Sequence, residues 1–249
     1  MTLRVEHVMG MPVRADVRSP VAPAVLDGVF AWFRDVDARF SPFKRESAVA
    51  RRGRGERARD AELDAVLAEC EALRRRTDGY FDAYATGSLD PSGFVKGWAV
   101  DRAGALLDAA GVRRWCLDAG GDVLVRGGDW RVGIRHPADP YALAGVVELG
   151  DGAVATSGAY ERGAHVRDPH TGRPPEGVRS VTVLGPALAT ADAYATAAFA
   201  MGARGPAWSA RLRGHAALTI LAADRVLATP DFLARCPGGS LAASLGGRP

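Results

Sequence analysis

Four polar clusters interrupt the apolar patterning of this 249-residue chain, and they hold most of the residues able to do chemistry. The first is Asp90-Pro91-Ser92-Gly93 followed by Lys96-Gly97. A turn that runs straight into a helix offers free backbone N–H groups and the positive end of the helix dipole, so an anion is favoured there and Lys96 can reach a phosphate. The same residues also serve as an N-terminal cap with a solvated lysine. The second cluster, Ala119-Gly120-Gly121-Asp122, permits either a tight hairpin turn or close approach of backbone to a ligand. The third runs from Ala155-Thr156-Ser157-Gly158 through His165 to the turn Asp168-Pro169-His170-Thr171-Gly172. A hydroxyl-rich strand end beside a histidine makes a small-molecule pocket, though a histidine on a strand is as readily structural. The fourth is Asp192 and Thr196, four apart and so on one helix face. Carboxylate and hydroxyl oxygens suit a hard cation such as Mg²⁺, and they are also ordinary first-turn capping chemistry.

The common catalytic signatures are absent. The chain has no GxxxxGK[ST] phosphate loop, no GxGxxG, no HExxH and no GxSxG elbow. Its five histidines, His7, His136, His165, His170 and His215, lack metal-ligand spacing. Cys70, Cys116 and Cys236 form no CxxC pair, which argues against a disulfide framework and a structural zinc site. Chemistry therefore falls to carboxylates, hydroxyls, backbone groups and one or two histidines.

These clusters must be positioned by the elements around them. Val25, Val29, Phe33 and Val36 stand at helical spacing and predict a helix over 22–40. Residues 41–58, polar and Arg-rich, read as a loop. Asp60 offers an N-cap for a second helix with Leu63, Val66, Leu67, Cys70 and Leu73 inward, stopped at Asp78-Gly79. A third helix is expected from about Gly97 through Leu107. Short strands follow in "RWCLDAGGDVLVRGG", "WRVGIRHP", "GVVELG", "GAVATSG" and "VRSVTVLG". An Ala-rich helix closed by Gly202 and a final hairpin in "AALTILAADRVLATP" complete the pattern. Helices grouped early and late around a block of meandering strands predict an α+β fold.

At 47% hydrophobic and 24% charged, the composition is that of a globular chain and excludes disorder, collagen and coiled coil. No run approaches the roughly 20 apolar residues of a membrane span, and no signal peptide is read at the start, so a cytoplasmic protein without membrane insertion is expected. Net charge is +3, but 30 of the 32 basic residues are Arg, Lys44 and Lys96 being the only lysines. Asn and Gln are absent throughout. The bias looks like coding composition. Its basic stretches alternate with acids and lack interleaved aromatics, so no nucleic-acid partner is expected.

Taken in order, the segments resemble the ApbE family of FAD:protein FMN transferases from about Met9 to Gly202. Met9-Gly10-Met11-Pro12 is similar to the family's opening "MGT" strand, and "FSPFKRESAVARR" to its "STYxxxSexsrlN" loop. "GYFDAYA" resembles "GxFDPTV", "DPSGFVKGWAVDRA" resembles "DLGGIAKGYAVDxA", and "LDAGGDV" resembles "vNaGGDI". "AVATSGAYER", "HVRDPHTGRP" and "ADAYATAAFAMG" look like "aiATSGdyer", "HIIDPrTGrP" and "aDalaTAlfvlG". Phe43 stands where the family has Tyr, Asp82 is followed by Ala rather than Pro, and the link from Asp82 to Asp90 is shortened. That shortening bears on acceptor docking more than on FAD binding.

The resemblance implies one T-fold-like domain over 1–249, with antiparallel strands and flanking helices. It implies that Met11, Phe43, Asp82, Asp90 and Lys96 line an FAD site, bordered by Gly120, Gly121 and Asp122. Ser157 and His165 would stand at the reacting end, with His165 and Asp192 catalytic. The Gly93 carbonyl, Asp192 and Thr196 would hold Mg²⁺. The implied reaction moves FMN from FAD to a threonine hydroxyl in the flavinylation motif of an acceptor protein and releases AMP. A Mg²⁺-dependent FAD pyrophosphatase and a non-catalytic FAD-binding protein are the alternatives.

Overall fold

The computed structural model describes residues 1–56, 59–159, 166–222, 225–239 and 241. Eight strands form one antiparallel sheet in the order β1-β2-β3-β4-β7-β8-β9-β10. They are β1 Thr2–Val8, β2 Met11–Val17, β3 Trp115–Ala119, β4 Asp122–Arg126, β7 Gly152–Gly158, β8 Val178–Gly185, β9 Ala216–Leu221 and β10 Val226–Ala228. A separate hairpin, β5 Trp130–Arg135 and β6 Leu143–Leu149, is inserted between β4 and β7. The longer helices are α1 Pro23–Phe40, α3 Ala61–Arg76, α4 Ser92–Ala109 and α5 Leu188–Ala200; the short ones are α2 Ala48–Gly53, α6 Gly205–Ser209 and α7 Pro230–Leu233.

Strand alternation gives the sheet two apolar faces. On β7, Ala153 and Ala155 point to the helices while Val154 points away, and β8 and β9 divide in the same manner. Small residues on the helical face let α5 lie close. The helix is buried on nearly every side, and its alanines fill the space where larger side chains would hold the sheet off. The opposite face carries the β5–β6 hairpin through Trp130, Ile134 and Val147. The architecture is α+β, as the grouping of segments predicts. Among the described residues, no helix is long and apolar enough to cross a membrane.

Several expectations hold and several shift. Asp60 caps α3, its Oδ1 accepting from the Glu62 and Leu63 amides at 3.1 and 3.0 Å. The stretch read as a loop over 41–58 contains α2, capped by the Ser47 hydroxyl, which accepts from Ala50 N–H at 2.9 Å. Helix α4 begins at Ser92, not at about Gly97. The Asp90 carboxylate accepts from Ser92 N–H at 2.9 Å, so the residues read as a turn are the helix's first turn and its cap. Of the N-terminal hairpin, only an opening strand near Met9–Pro12 was expected from the resemblance; β2 starts at Met11, and its pairing with β1 turns through Met9 and Gly10, both left-handed at φ 56° and 72°.

Helices α4 and α5 meet at two points that set the rest of the site. A Cβ on Gly97 would stand 2.6 Å from the Leu188 carbonyl oxygen and 2.7 Å from Ala189 N, so only glycine admits this approach. One turn on, Asp101 takes the place of an N-cap that Ala187 cannot supply. Its two carboxylate oxygens accept from the Leu188 and Ala189 amides at 2.8 and 2.9 Å.

Burial raises the Asp101 carboxyl above its ordinary value of 3.8, with the two amide donors pulling the other way. The folded protein therefore binds this proton at higher pH than the unfolded chain does. The group favours folding increasingly as pH falls through its folded value toward 3.8. Asp101→Ala is expected to lose about 1–2 kcal/mol in urea unfolding at neutral pH. Asp101→Asn keeps one acceptor and cannot gain the proton, so its deficit should widen as pH is lowered toward about 4. A deficit that narrows on acidification would contradict the assignment.

Candidate active site

The site lies where the first turn of α4, the middle of α5, the end of β7 and the β3–β4 hairpin converge. Lys96, one turn into α4, points its ammonium between two carboxylates. It contacts Asp122 Oδ2 and stands 3.6 Å from Asp192 Oδ2. Both acids are buried, at 1% and 3% exposure. Asp122 is fixed from the side, its Oδ1 accepting from Thr156 N–H at 2.9 Å. Four residues after Asp192 on the same face of α5, the Thr196 hydroxyl lies 3.2 Å from that of Ser157. Gly93 sits against them: a Cβ there would be 3.2 Å from the Phe81 ring and 3.8 Å from Thr196 Oγ1.

Among the described residues, no three His, Cys, Asp or Glu side chains gather as a metal site. The donors that do gather are oxygens: one carboxylate, two hydroxyls and the nearby backbone of Gly93. That set fits a hard cation that retains several waters, as Mg²⁺ does, and does not fit a soft-ligand metal.

Above this floor opens a cleft of about 870 Å³. Met11 forms part of it, packed under the β3–β4 turn, where a Cβ on Gly120 would come 3.0 Å from its sulfur. Gly120 and Gly121 make the two-residue hairpin turn at φ 63° and 97°. Gly120 thus fulfils both readings of that motif, turn and close approach, since it also lines the cleft. Phe43 stands at the rim, 87% exposed.

The opposite wall is residues 80–90. Thr77, wholly buried, ties it to α3: its hydroxyl donates to the Leu73 carbonyl at 2.8 Å and accepts from Phe81 N–H at 2.9 Å. Asp82 accepts from Tyr84 N–H at 2.8 Å, and the loop closes where Asp90 N–H donates to the Ala83 carbonyl at 2.8 Å. Tyr80 is held from behind. The His170 ring meets it edge-on at 4.6 Å, and the Arg204 guanidinium lies 5.2 Å over its ring and donates to its hydroxyl. The His170 ring also bonds the Asp78 carbonyl at 2.9 Å, docking the 168–172 turn on this wall.

The fold thus brings Met11, Phe43, Asp82, Asp90 and Lys96 to one cleft, together with Gly93, Gly120, Ser157, Asp192 and Thr196. It does not bring Gly121 or Asp122 to the cleft surface. The Gly121 amide turns back to donate to Asp118 Oδ1 at 2.9 Å, and Asp122 lies behind Lys96. His165 lies outside the described residues. Tyr80, Lys44 and Arg135 also line the cleft and were not anticipated. Tyr80 falls at the variable position of its motif, Lys44 directly follows the expected aromatic, and Arg135 ends a strand with no polar cluster around it.

The family model described as the ApbE family matches residues 83–219, more than half the chain. The chain belongs to the ApbE family. Among curated relatives, the FAD:protein FMN transferase of Rhodobacter capsulatus is 41% identical over 161 residues, which cover 59% of this chain and 31% of that protein. The FAD:protein FMN transferase of Vibrio cholerae is 36% identical over 129 residues, 46% of this chain and 39% of that protein. The chain therefore spans about a third of the length of the curated ApbE relatives it matches. The crystal structure of the ApbE protein from Thermotoga maritima superposes with a TM-score of 0.84 at 22% identity, covering 94% of this chain and 98% of that one. The flavin transferase ApbE from Vibrio cholerae superposes at 0.82 and 22%, covering 93% and 97%. At that identity the likeness establishes the ApbE fold.

The Thr77 hydroxyl carries one wall of the ApbE cleft, so Thr77→Val, which removes it at nearly constant volume, leaves the Phe81 amide buried without a partner. A loss of about 1–3 kcal/mol in urea unfolding is expected. Faster hydrogen exchange confined to the 78–82 amides should accompany it, and Thr77→Ser should restore both.

Proposed function

We propose that the cleft binds FAD and transfers its FMN half to a threonine hydroxyl of an acceptor flavoprotein, with AMP leaving. One observation supports this reading above the others. A carboxylate, two hydroxyls and an ammonium, from Asp192, Thr196, Ser157 and Lys96, meet at the floor of a cleft of about 870 Å³. They do so in a chain whose curated relatives carry the name FAD:protein FMN transferase.

Transfer of this kind asks a protein for alignment and charge neutralisation more than for covalent participation. The threonine oxygen attacks the FMN-side phosphorus in line, the P–O bond to the AMP half breaks, and the threonine proton passes to a base. His165 is our choice for that base, since its unperturbed pKa of ~6.5 suits the task. Asp192, Thr196 and the Gly93 carbonyl would hold Mg²⁺. When bound, that ion supplies positive charge against the phosphate oxygens. Lys96 adds a compact cation at the same floor. Met11 and Phe43 offer the apolar surface a flavin ring needs, while Asp82 and Asp90 supply acceptors on the far wall.

Intact-mass spectrometry of a small acceptor domain bearing a threonine flavinylation motif, incubated with this protein, FAD and Mg²⁺, tests the reading. The expected result is a gain of one FMN that disappears with chelator. Asp192→Asn should lower the transfer rate by roughly 100-fold or more while leaving thermal unfolding cooperative. AMP released without a change in acceptor mass would mean that water replaces threonine as nucleophile. If neither AMP nor modified acceptor forms, the proposal is overturned.

A further inference from the structure

Asp122 is 1% exposed and yet does not line the cleft. A carboxylate at that depth needs a partner for each oxygen to remain charged. Oδ1 accepts from Thr156 N–H at 2.9 Å, and Oδ2 meets the Lys96 ammonium. The first contact anchors Asp122 to a strand of the central sheet. The second restrains a side chain with four rotatable bonds that remains one-fifth exposed at the cleft floor. The carboxylate of Asp192 stands 3.6 Å from the same ammonium. Without Asp122, the ammonium would close onto that remaining buried charge, since attraction rises steeply as separation falls in a poorly hydrated site.

We infer that Asp122 is a positioning residue. It keeps the Lys96 ammonium from closing onto Asp192, so that its charge is not neutralised there and stays available at the cleft floor to the phosphates of the bound dinucleotide. The inference rests on the reading of the cleft as an FAD site. It also carries a sign that separates it from plain electrostatics. Asp122 is anionic, so removing its charge should by Coulomb attraction alone tighten the binding of an anion. A loss of affinity on its removal therefore reports position rather than charge.

The experiment compares FAD with riboflavin, which lacks the phosphates, by fluorescence titration in the presence of chelator. Asp122→Asn keeps the acceptor for Thr156 N–H and removes the charge. It should weaken FAD binding about tenfold, within the coupling of residues that share one ion-pair network, and leave riboflavin binding unchanged. Should Asp122→Asn fail to fold, Asp122→Glu retains the charge one methylene out of place and carries the same expectation for the two ligands.

Unchanged or tighter FAD binding in Asp122→Asn would overturn the inference. So would equal losses for FAD and riboflavin, which mark a structural role. A wild-type protein that binds FAD no more tightly than riboflavin would instead remove the reading of Lys96 as a phosphate contact, and the inference with it.

Discussion

The close approach of α4 to α5 is the constraint on which the site depends. Gly97 removes the side chain that would hold the helices apart, and Asp101 bonds the amides that α5 would otherwise leave bare. Together they fix the helices in separation and along their axes. The groups with chemical capacity are then distributed about this joint: Gly93 one turn before Gly97 and Lys96 immediately before it on α4, Asp192 and Thr196 one and two turns into α5. A shift of α5 would separate Thr196 from Ser157 and Asp192 from Lys96, and a shift of α4 would separate Lys96 from both acids. Asp101 at the joint is half-buried, and Asp122, Asp192 and Ser157 at the floor are buried. The geometry is therefore carried by the same packing that stabilises the fold.

Floor and rim are built differently. Every polar group of the floor comes from a helix or strand whose neighbours are packed. The rim comes from short connections closed by single hydrogen bonds, such as Asp90 to Ala83, with Phe43 and Tyr84 at 87% and 58% exposure. The wall under Tyr80 lies between these extremes, since His170 and Arg204 brace it from two other parts of the chain. The cleft thus joins a floor set in packed helices and strands to a rim of exposed connections.

Much of this was legible in the residues, and the gaps have physical causes. Amphipathic spacing placed α1 and α3, and Asp60 marked the start of α3, because those signals act within one or two turns. The start of α4 was missed since Pro91, Gly93 and Gly97 resemble helix breakers. Their reasons lie elsewhere: Pro91 occupies the cap, and both glycines make room for neighbouring elements. The pairing of β1 with β2 was missed because Met9 adopts φ 56°, a conformation that its side chain does not advertise. At the site, four separated clusters named seven of the ten expected residues that share one cleft, and the family resemblance added Met11, Phe43 and Asp82. Their order along the chain, rather than any one spacing, carried that information. Asp122 lies behind Lys96 and off the cleft surface, and that depth is not written in a Gly-Gly-Asp turn. Arg135 and Tyr80 were passed over because only the folded chain brings them to the cleft.

The chain's heavy preference for arginine leaves it two lysines, and both face the same cleft. Lys44 pairs with Asp37 at the rim, 2.7 Å away, and Lys96 pairs with Asp122 at the floor. Isotope-labelled lysine would therefore give a spectrum with two side-chain ammonium signals, one from the entrance and one from the base. No other part of the molecule would contribute. A compositional accident thus supplies a pair of built-in probes for following, in solution and without altering the protein, how deeply a molecule enters the cleft.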